Sequence, residues 1–214
     1  MIQFPQPIVS DENGIVAVGG ELTVENVVWA YSLGIFPWPH GNLPLLWFCP
    51  IERGVLNFDS FKIPESVKKE LRKKNFRMSY NQAFDAVIDG CAQQKRQGQK
   101  GTWITPAMKK TYRKLHELGY AQSVECWNGD DLVGGLYGVY IQNVFSGESM
   151  FFKESGASKA CLIALVNKLK SLGHEWFDIQ MVTPVLALFG GESMDRETFL
   201  EVLKATQNLQ RPGV

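Results

Sequence analysis

Apolar residues recur along this 214-residue chain with two different periods, and the change from one to the other organises it. Over the first 60 positions the apolar stretches are interrupted by proline. Ile35-Phe36-Pro37-Trp38 and Leu45-Leu46-Trp47-Phe48-Cys49-Pro50 cannot be long helices, because proline lacks the amide hydrogen and clashes with the preceding turn. One helix is predicted there, over residues 24–33, capped by Thr23, with Val24, Val27, Val28 and Tyr31 on one face and Gly34 as its stop. Helical spacing then dominates: residues 64–74 with Pro64 in first place, 81–93 with Ala83, Phe84, Val87 and Ile88 inward, a polar loop over 93–100, and 106–118. From residue 122 strict alternation takes over. Strands are predicted at 122–127, 132–140 and 144–152, the first two joined by a turn at Asn128-Gly129-Asp130. A helix over 157–172 buries Leu162, Leu165, Val166 and Leu169 and stops at Gly173. A strand at 175–181, a short helix from Thr183-Pro184 to Gly190 and a last helix starting at Asp195 complete the chain.

Helices first, then antiparallel strands, then helix and strand again make an α+β fold. The expected organisation is a small N-terminal α/β domain, residues 1–60, followed by a domain at 61–214 with a mostly antiparallel sheet of the acyl-CoA N-acyltransferase-like (GNAT-like) kind.

Composition is globular, and no apolar run approaches the ~20 residues that span a bilayer, so no membrane association is expected. The N-terminus shows no signal peptide. Four scattered cysteines without a CxxC pair, and three histidines without an HExxH or Cys/His cluster, predict reduced thiols, no metal and no cofactor. Charge adds one feature. Residues 62–114 hold 14 Lys/Arg against 4 Asp/Glu, whereas the rest holds 8 against 18, so a neutral chain carries one basic region. That region suits a polyanion, or else forms ordinary solvated helix faces.

Candidate chemistry lies on the strands. Gly147-Glu148-Ser149-Met150 and Phe177-Asp178-Ile179-Gln180 each place a carboxylate in an apolar strand, and the i, i+2 rule puts Asp178 and Gln180 on one surface with Phe177 and Ile179 opposite. Such a couple is either a structural hydrogen-bond pair or the polar floor of a cleft, with Asp178 receiving a proton or hydrogen bond from an amine. No nucleophile with a base, no GxSxG and no GxxxxGK[ST] is present. Gly134, Gly135 and Gly138 mark either close helix packing or backbone approach to a ligand. Ser155-Gly156-Ala157-Ser158-Lys159 opens a helix, where free amides favour an anion. Trp103, beside the basic loop, is either a core tryptophan or a platform for an unpaired base.

In order along the chain stand Gly19-Gly20-Glu21-Leu22, Ala30-Tyr31, Gly34 to Trp38, Leu46-Trp47 with Pro50, Gly101-Thr102-Trp103-Ile104, Ser123-Val124-Glu125, Leu132 to Val139, Gly147 to Phe151, Ala157-Ser158-Lys159 and Asp178-x-Gln180. This ordered set resembles the leucyl/phenylalanyl-tRNA–protein transferase family. The resemblance implies transfer of leucine or phenylalanine, with methionine a further candidate, from aminoacyl-tRNA to an N-terminal Arg or Lys of an acceptor protein, which marks that protein as an N-degron. It implies Asp178, Gln180 and Glu148 as catalytic residues and Leu136, Phe145, Met150, Leu162, Leu165 and Phe177 as the amino-acid pocket. Trp103 and Trp47 are implied as stacking partners of the tRNA 3′ end. The cations Lys68, Lys69, Arg72, Lys73, Lys74, Lys109, Lys110 and Arg113 are expected on phosphates, in a cytoplasmic, monomeric enzyme. Departures from the family pattern are Phe48 in place of a second tryptophan, Cys49, Phe152-Lys153, Gly156 and Val185. Rival readings are an acyl-CoA-dependent N-acetyltransferase, whose (Arg/Gln)-x-x-Gly-x-(Gly/Ala) loop is missing, and a non-catalytic tRNA-binding module.

Overall fold

The computed structural model describes residues 2–39, 43–95 and 101–209. An N-terminal unit contains β1 (Ile15–Val18), α1 (Val24–Ser32), β2 (Phe36–Trp38) and β3 (Leu46–Phe48), the strands forming a small antiparallel sheet of order β1-β3-β2. Thr23 caps α1, its hydroxyl accepting from the Asn26 amide at 3.2 Å. The remaining elements are β4 (Glu52–Asn57), α2 (Glu65–Leu71), β5 (Phe76–Tyr80), α3 (Phe84–Gln93), α4 (Pro106–Glu117), β6 (Ala121–Asn128), β7 (Asp131–Ile141), β8 (Val144–Phe152), α5 (Ala157–Ser171), β9 (Trp176–Gln180), α6 (Pro184–Leu188), β10 (Glu192–Asp195) and α7 (Arg196–Gln207). Seven strands make the large sheet, in the order β10-β4-β9-β8-β7-β6-β5.

This is the expected mixed α+β arrangement, antiparallel throughout except where β8 meets β9. Two-residue turns set the register of its centre. Gly129-Asp130 joins β6 to β7 with φ positive only at Gly129, and Gln142-Asn143 joins β7 to β8 with φ positive at both positions. One face of the sheet packs on α3, α4 and the N-terminal unit, the other on α5. The glycines of β7 serve this packing. A Cβ on Gly134 would stand 2.6 Å from the Ala157 Cβ of α5, and one on Gly135 2.8 Å from Val87 of α3.

Two sequence expectations change. The boundary at residue 60 falls too late, because β4 is an interior strand of the large sheet, paired with β9 and β10. The helix expected over 64–74 is shorter, with Pro64 outside it as N-cap. Of the polar loop expected over 93–100, residues 96–100 lie outside the described residues. Among the described residues no helix is long and apolar enough to cross a membrane.

Candidate active site

The one parallel contact of the sheet is also where it opens. β8 and β9 share a single register position, Ser146 with Asp178. Just beyond it both strands carry an extra residue. On β8, Gly147 pairs with Gly138 and Ser149 with Tyr137, leaving Glu148 unopposed. On β9, Asp178 pairs with Val55 and Gln180 with Gly54, leaving Ile179 unopposed. Bulges re-aim side chains, yet the expected division between the two faces survives: Asp178 accepts from the Gln180 amide and both residues face Glu148, while Phe177 and Ile179 pack together in the cluster against α5. Gln180 ends the strand with φ +60, a left-handed backbone rare for a residue with a side chain. Gly54 makes room for that bend, since a Cβ there would lie 2.7 Å from the Met181 carbonyl carbon.

Asp178 is 1% exposed and its carboxylate is fully engaged. Oδ1 accepts from Arg53 Nε at 2.8 Å and from the Gln180 amide at 2.9 Å; Oδ2 accepts from Arg53 Nη2 at 2.6 Å and from Ser146 Oγ at 2.8 Å. Arg53 lies between the rings of Phe36 and Phe199, 4.7 and 4.6 Å from their centroids, and gives its remaining Nη1 donor to the Gly34 carbonyl at 3.0 Å. This ion pair fixes the left-handed Gln180 from behind. Sequence reasoning passed over Arg53; its one signal was a cation two residues before the apolar Val55-Leu56.

Glu148 has a different environment. Oε1 accepts from Tyr31 Oη at 2.5 Å and Gln180 Nε2 at 2.7 Å, and Oε2 accepts from Tyr112 Oη at 3.3 Å. Burial pushes its carboxyl up from the ordinary carboxylate range to about 7; the nearby Asp178 charge adds to this, and the hydrogen bonds from Tyr31, Gln180 and Tyr112 oppose it. Both tyrosines are raised well above their ordinary value, first by burial and then by the Glu148 charge, so they remain hydroxyl donors at neutral pH.

Between the splayed strands runs a cleft of about 240 Å³. Phe36, Pro37, Trp38 and Trp103 wall one side; Leu136, Met150, Leu162, Phe177 and Leu186 wall the other. Glu148 and Gln180 lie at the junction, and Glu148 is the one charged side chain among the described lining residues. The arrangement offers an apolar slot, two aromatic rings at its rim, and an acid that titrates near neutrality.

A sequence model of the leucyl/phenylalanyl-tRNA protein transferase family matches residues 55–204, and that of the family's N-terminal domain matches residues 20–51. The chain belongs to this family. A leucyl/phenylalanyl-tRNA–protein transferase of Flavobacterium johnsoniae is 46% identical over 94% of this chain and 95% of its own length. Another, from Syntrophus aciditrophicus, is 46% identical over 99% of this chain and 88% of its own. A solved C-terminal domain from an Agrobacterium fabrum protein, described as a lysylphosphatidylglycerol synthetase, is 14% identical with a TM-score of 0.41, covering 75% of this chain and 57% of that one. The two family matches meet between residues 51 and 55, at the start of β4.

Of the family's expected pocket residues, Leu136, Met150, Leu162 and Phe177 line the cleft. Phe145 and Leu165 do not. They border a separate cavity of about 200 Å³ beside Tyr80 and Lys168, Leu165 because it lies one turn along α5 from Leu162. Phe145 still backs the cleft wall, edge-on to Phe177 at 6.0 Å. Trp47 is 0% exposed, packed against Phe4 with its indole donating to the Gly19 carbonyl, so neither ring face is open to a base. Trp38, read from the sequence as part of a proline-broken segment and of the family motif Gly34 to Trp38 but not as a stacking residue, lines the cleft.

The family's expected phosphate contacts divide into two groups. Lys109 and Arg113 are tied to Asp89, Arg113 also to Asp85, Lys68 to Glu65 and Lys74 to Glu154. Among the described residues, Lys69, Arg72, Lys73 and Lys110 are exposed and join no ion pair. Near the start of α5 the Glu70 carboxylate accepts from Ser155 Oγ at 2.5 Å and pairs with Lys159 at 3.0 Å.

Proposed function

We propose that the protein transfers leucine or phenylalanine from aminoacyl-tRNA to the N-terminal Arg or Lys of an acceptor protein, as a cytoplasmic monomer, with Glu148 as proton acceptor. The splayed parallel pair in an otherwise antiparallel sheet suits a GNAT-like acyl-transfer scaffold. The observation that carries the reading is the placement of Glu148, a carboxyl titrating near 7 where an apolar slot meets an amide.

In this reading the aminoacyl side chain enters the slot between Leu136, Met150, Leu162 and Phe177, and the terminal base stacks at Trp38 and Trp103. Exposed cations on α2 and α4 hold phosphates of the acceptor stem. The acceptor's α-amine meets Gln180 Oε1, the half of the amide not given to Glu148. Nitrogen attacks the ester carbonyl, the new C–N bond replaces the carbon–ribose oxygen bond, and the amine proton passes to Glu148 and then to the departing ribose oxygen. An activated ester needs mainly positioning and proton removal, and no further group is required. Asp178, whose four acceptor positions are filled, shapes Gln180 instead of receiving the proton.

The test is transfer from Leu-, Phe- and Met-tRNA onto peptides beginning with Arg, Lys or Glu. Leu and Phe onto Arg or Lys should react, and Glu148→Gln should lower kcat by about 100-fold. Equal transfer onto Glu-initiated peptides would remove the acceptor assignment. Near-normal kcat in Glu148→Gln would remove the base. An acyl-CoA reaction is disfavoured because the chain lacks the (Arg/Gln)-x-x-Gly-x-(Gly/Ala) loop that would cradle a pyrophosphate.

A further inference from the structure

A buried carboxyl that gains and loses a proton leaves its hydrogen-bond partners with a problem. Donors that satisfy the carboxylate face a new O–H once it is protonated, and a hydroxyl stranded without an acceptor in the interior is costly. Glu148 is met by Tyr31 from α1, Tyr112 from α4 and Gln180 from β9; Asp178 also faces it, held as a carboxylate partner of Arg53 from β4. Each tyrosine has one hydrogen to give. Tyr31 Oη is 2.5 Å from Glu148 Oε1. Tyr112 Oη has two acceptors within reach, Glu148 Oε2 at 3.3 Å and Tyr31 Oη at 2.9 Å.

We propose that Tyr31 and Tyr112 form a two-position hydroxyl pair that lets Glu148 take the amine proton on Oε2 and return it without leaving a buried group unpaired. With Glu148 ionised, Tyr112 donates to Oε2 and Tyr31 to Oε1. When the amine proton arrives on Oε2, the Tyr112 hydrogen rotates to Tyr31 Oη, and Tyr31 keeps its bond to Oε1. When the proton leaves for the ribose oxygen, Tyr112 turns back. No bond to carbon changes at either tyrosine, and neither loses its own proton. Both are positioning residues, acting through Glu148. The inference rests on the reading of Glu148 as the base. It adds that the N-terminal unit and α4 each supply half of the device that keeps the base in use.

The experiment is the pH dependence of kcat for transfer from Leu-tRNA, measured on wild type, Glu148→Gln, Tyr112→Phe and Tyr31→Phe, with thermal midpoints recorded for each. Wild type should lose activity below an acid limb near 7. Glu148→Gln should be slow and without that limb. Removing a donor to the carboxylate raises its pKa, so Tyr112→Phe should move the limb upward by about half to one pH unit, with KM for the tRNA unchanged. Tyr31→Phe should move it further, having removed the Oε1 donor and the alternative acceptor together. Should Glu148→Gln keep the wild-type limb, the base assignment fails. Should it lose the limb while both tyrosine variants keep theirs in place and differ only by a pH-independent factor, the hydroxyl pair is overturned and the base stands. Measuring both variants guards against one of them failing to fold.

Discussion

A guanidinium enclosed between two phenyl rings has only its in-plane donors to offer, and Arg53 directs them to Gly34 and to both oxygens of Asp178. Removing one member of such a pair leaves a buried charge uncompensated, at a cost of about 3–5 kcal/mol, whereas replacing both by apolar groups recovers much of it. Arg53→Met should therefore destabilise by about 3–5 kcal/mol in urea unfolding and Arg53→Met with Asp178→Leu by clearly less; equal losses in the two would show that the pair does not hold this corner. Glu148 has the opposite effect on stability. Its carboxyl is raised from 4.5 to about 7, so the folded protein binds the proton more tightly than the unfolded chain. The sign follows: below 4.5 both states are protonated and nothing is lost, and stability then falls as pH rises from 4.5 through 7, by on the order of 3 kcal/mol in all. Glu148→Gln, which cannot ionise, should match wild type near pH 4.5 and be the more stable protein at about pH 8. A stability difference independent of pH would contradict the burial argument. What the sequence disclosed at this scale was identity without environment. Asp178, Gln180 and Glu148 were all legible as polar residues in apolar strands. Their division of labour was not, because it depends on two bulges, one left-handed backbone and Arg53, 125 positions away from Asp178.

At the scale of elements, capping and periodicity predicted the helices well. Thr23, Thr183 and Asp195, expected at helix starts, each accept from an amide three residues on, and α1, α3 and α5 bury the sides their spacing assigns. The strands that escaped notice, β1, β4, β5 and β10 among them, find their partners elsewhere in the chain. β10 is a four-residue polar edge, Glu192-Ser193-Met194-Asp195, and β5 follows a cationic helix so closely that its Phe76/Met78 alternation reads as a tail. Charge density along α2 and α4 predicted a basic surface, yet it overstated which cations are available. A lysine already bridged to a carboxylate adds little net charge for a phosphate to meet, and exposed pairs of this kind contribute little to stability. Replacing Lys69, Arg72 and Lys73 together by Gln should weaken tRNA binding. It should also reduce the slope of log affinity against log salt by about two units, since each phosphate left unneutralised removes about 0.7–0.9. Replacing Lys109 and Arg113, which hold Asp89 of α3, should change that slope by less than half as much. A triple variant with the wild-type slope would remove α2 from the RNA-binding surface.

At the scale of the whole molecule, a sequence division into two domains meets a core that does not divide. Val27, Ala30, Tyr31, Ile35, Phe36 and Trp47 of the N-terminal unit pack in one cluster with Phe84, Val87, Met108 and Tyr112 of α3 and α4 and with Tyr137 and Phe151 of the sheet. Gly34 sits against Phe199 and Leu203 of α7, near the other end of the chain, and the Arg196 guanidinium reaches back to the carbonyls of Ile8 and Cys49. Local periodicity cannot report such contacts, since each partner reads as an ordinary apolar position in its own element. The N-terminal unit walls the cleft with Phe36, Pro37 and Trp38 and supplies Tyr31 to Glu148, so the site exists only where the two units are joined. A core shared in this way should melt as one. Calorimetry should give a single transition with an enthalpy on the order of 150 kcal/mol near 60 °C, at roughly 0.7 kcal/mol per residue, equal to the van't Hoff value. Trp103 and Trp38 fluorescence should change at the same midpoint as far-ultraviolet circular dichroism, and Phe36→Ala, though it lies in the small sheet, should lower that common midpoint without splitting it. Two transitions, the lower matched by loss of the tryptophan signal alone, would mean that the N-terminal unit opens by itself and that the cleft is assembled only when it docks.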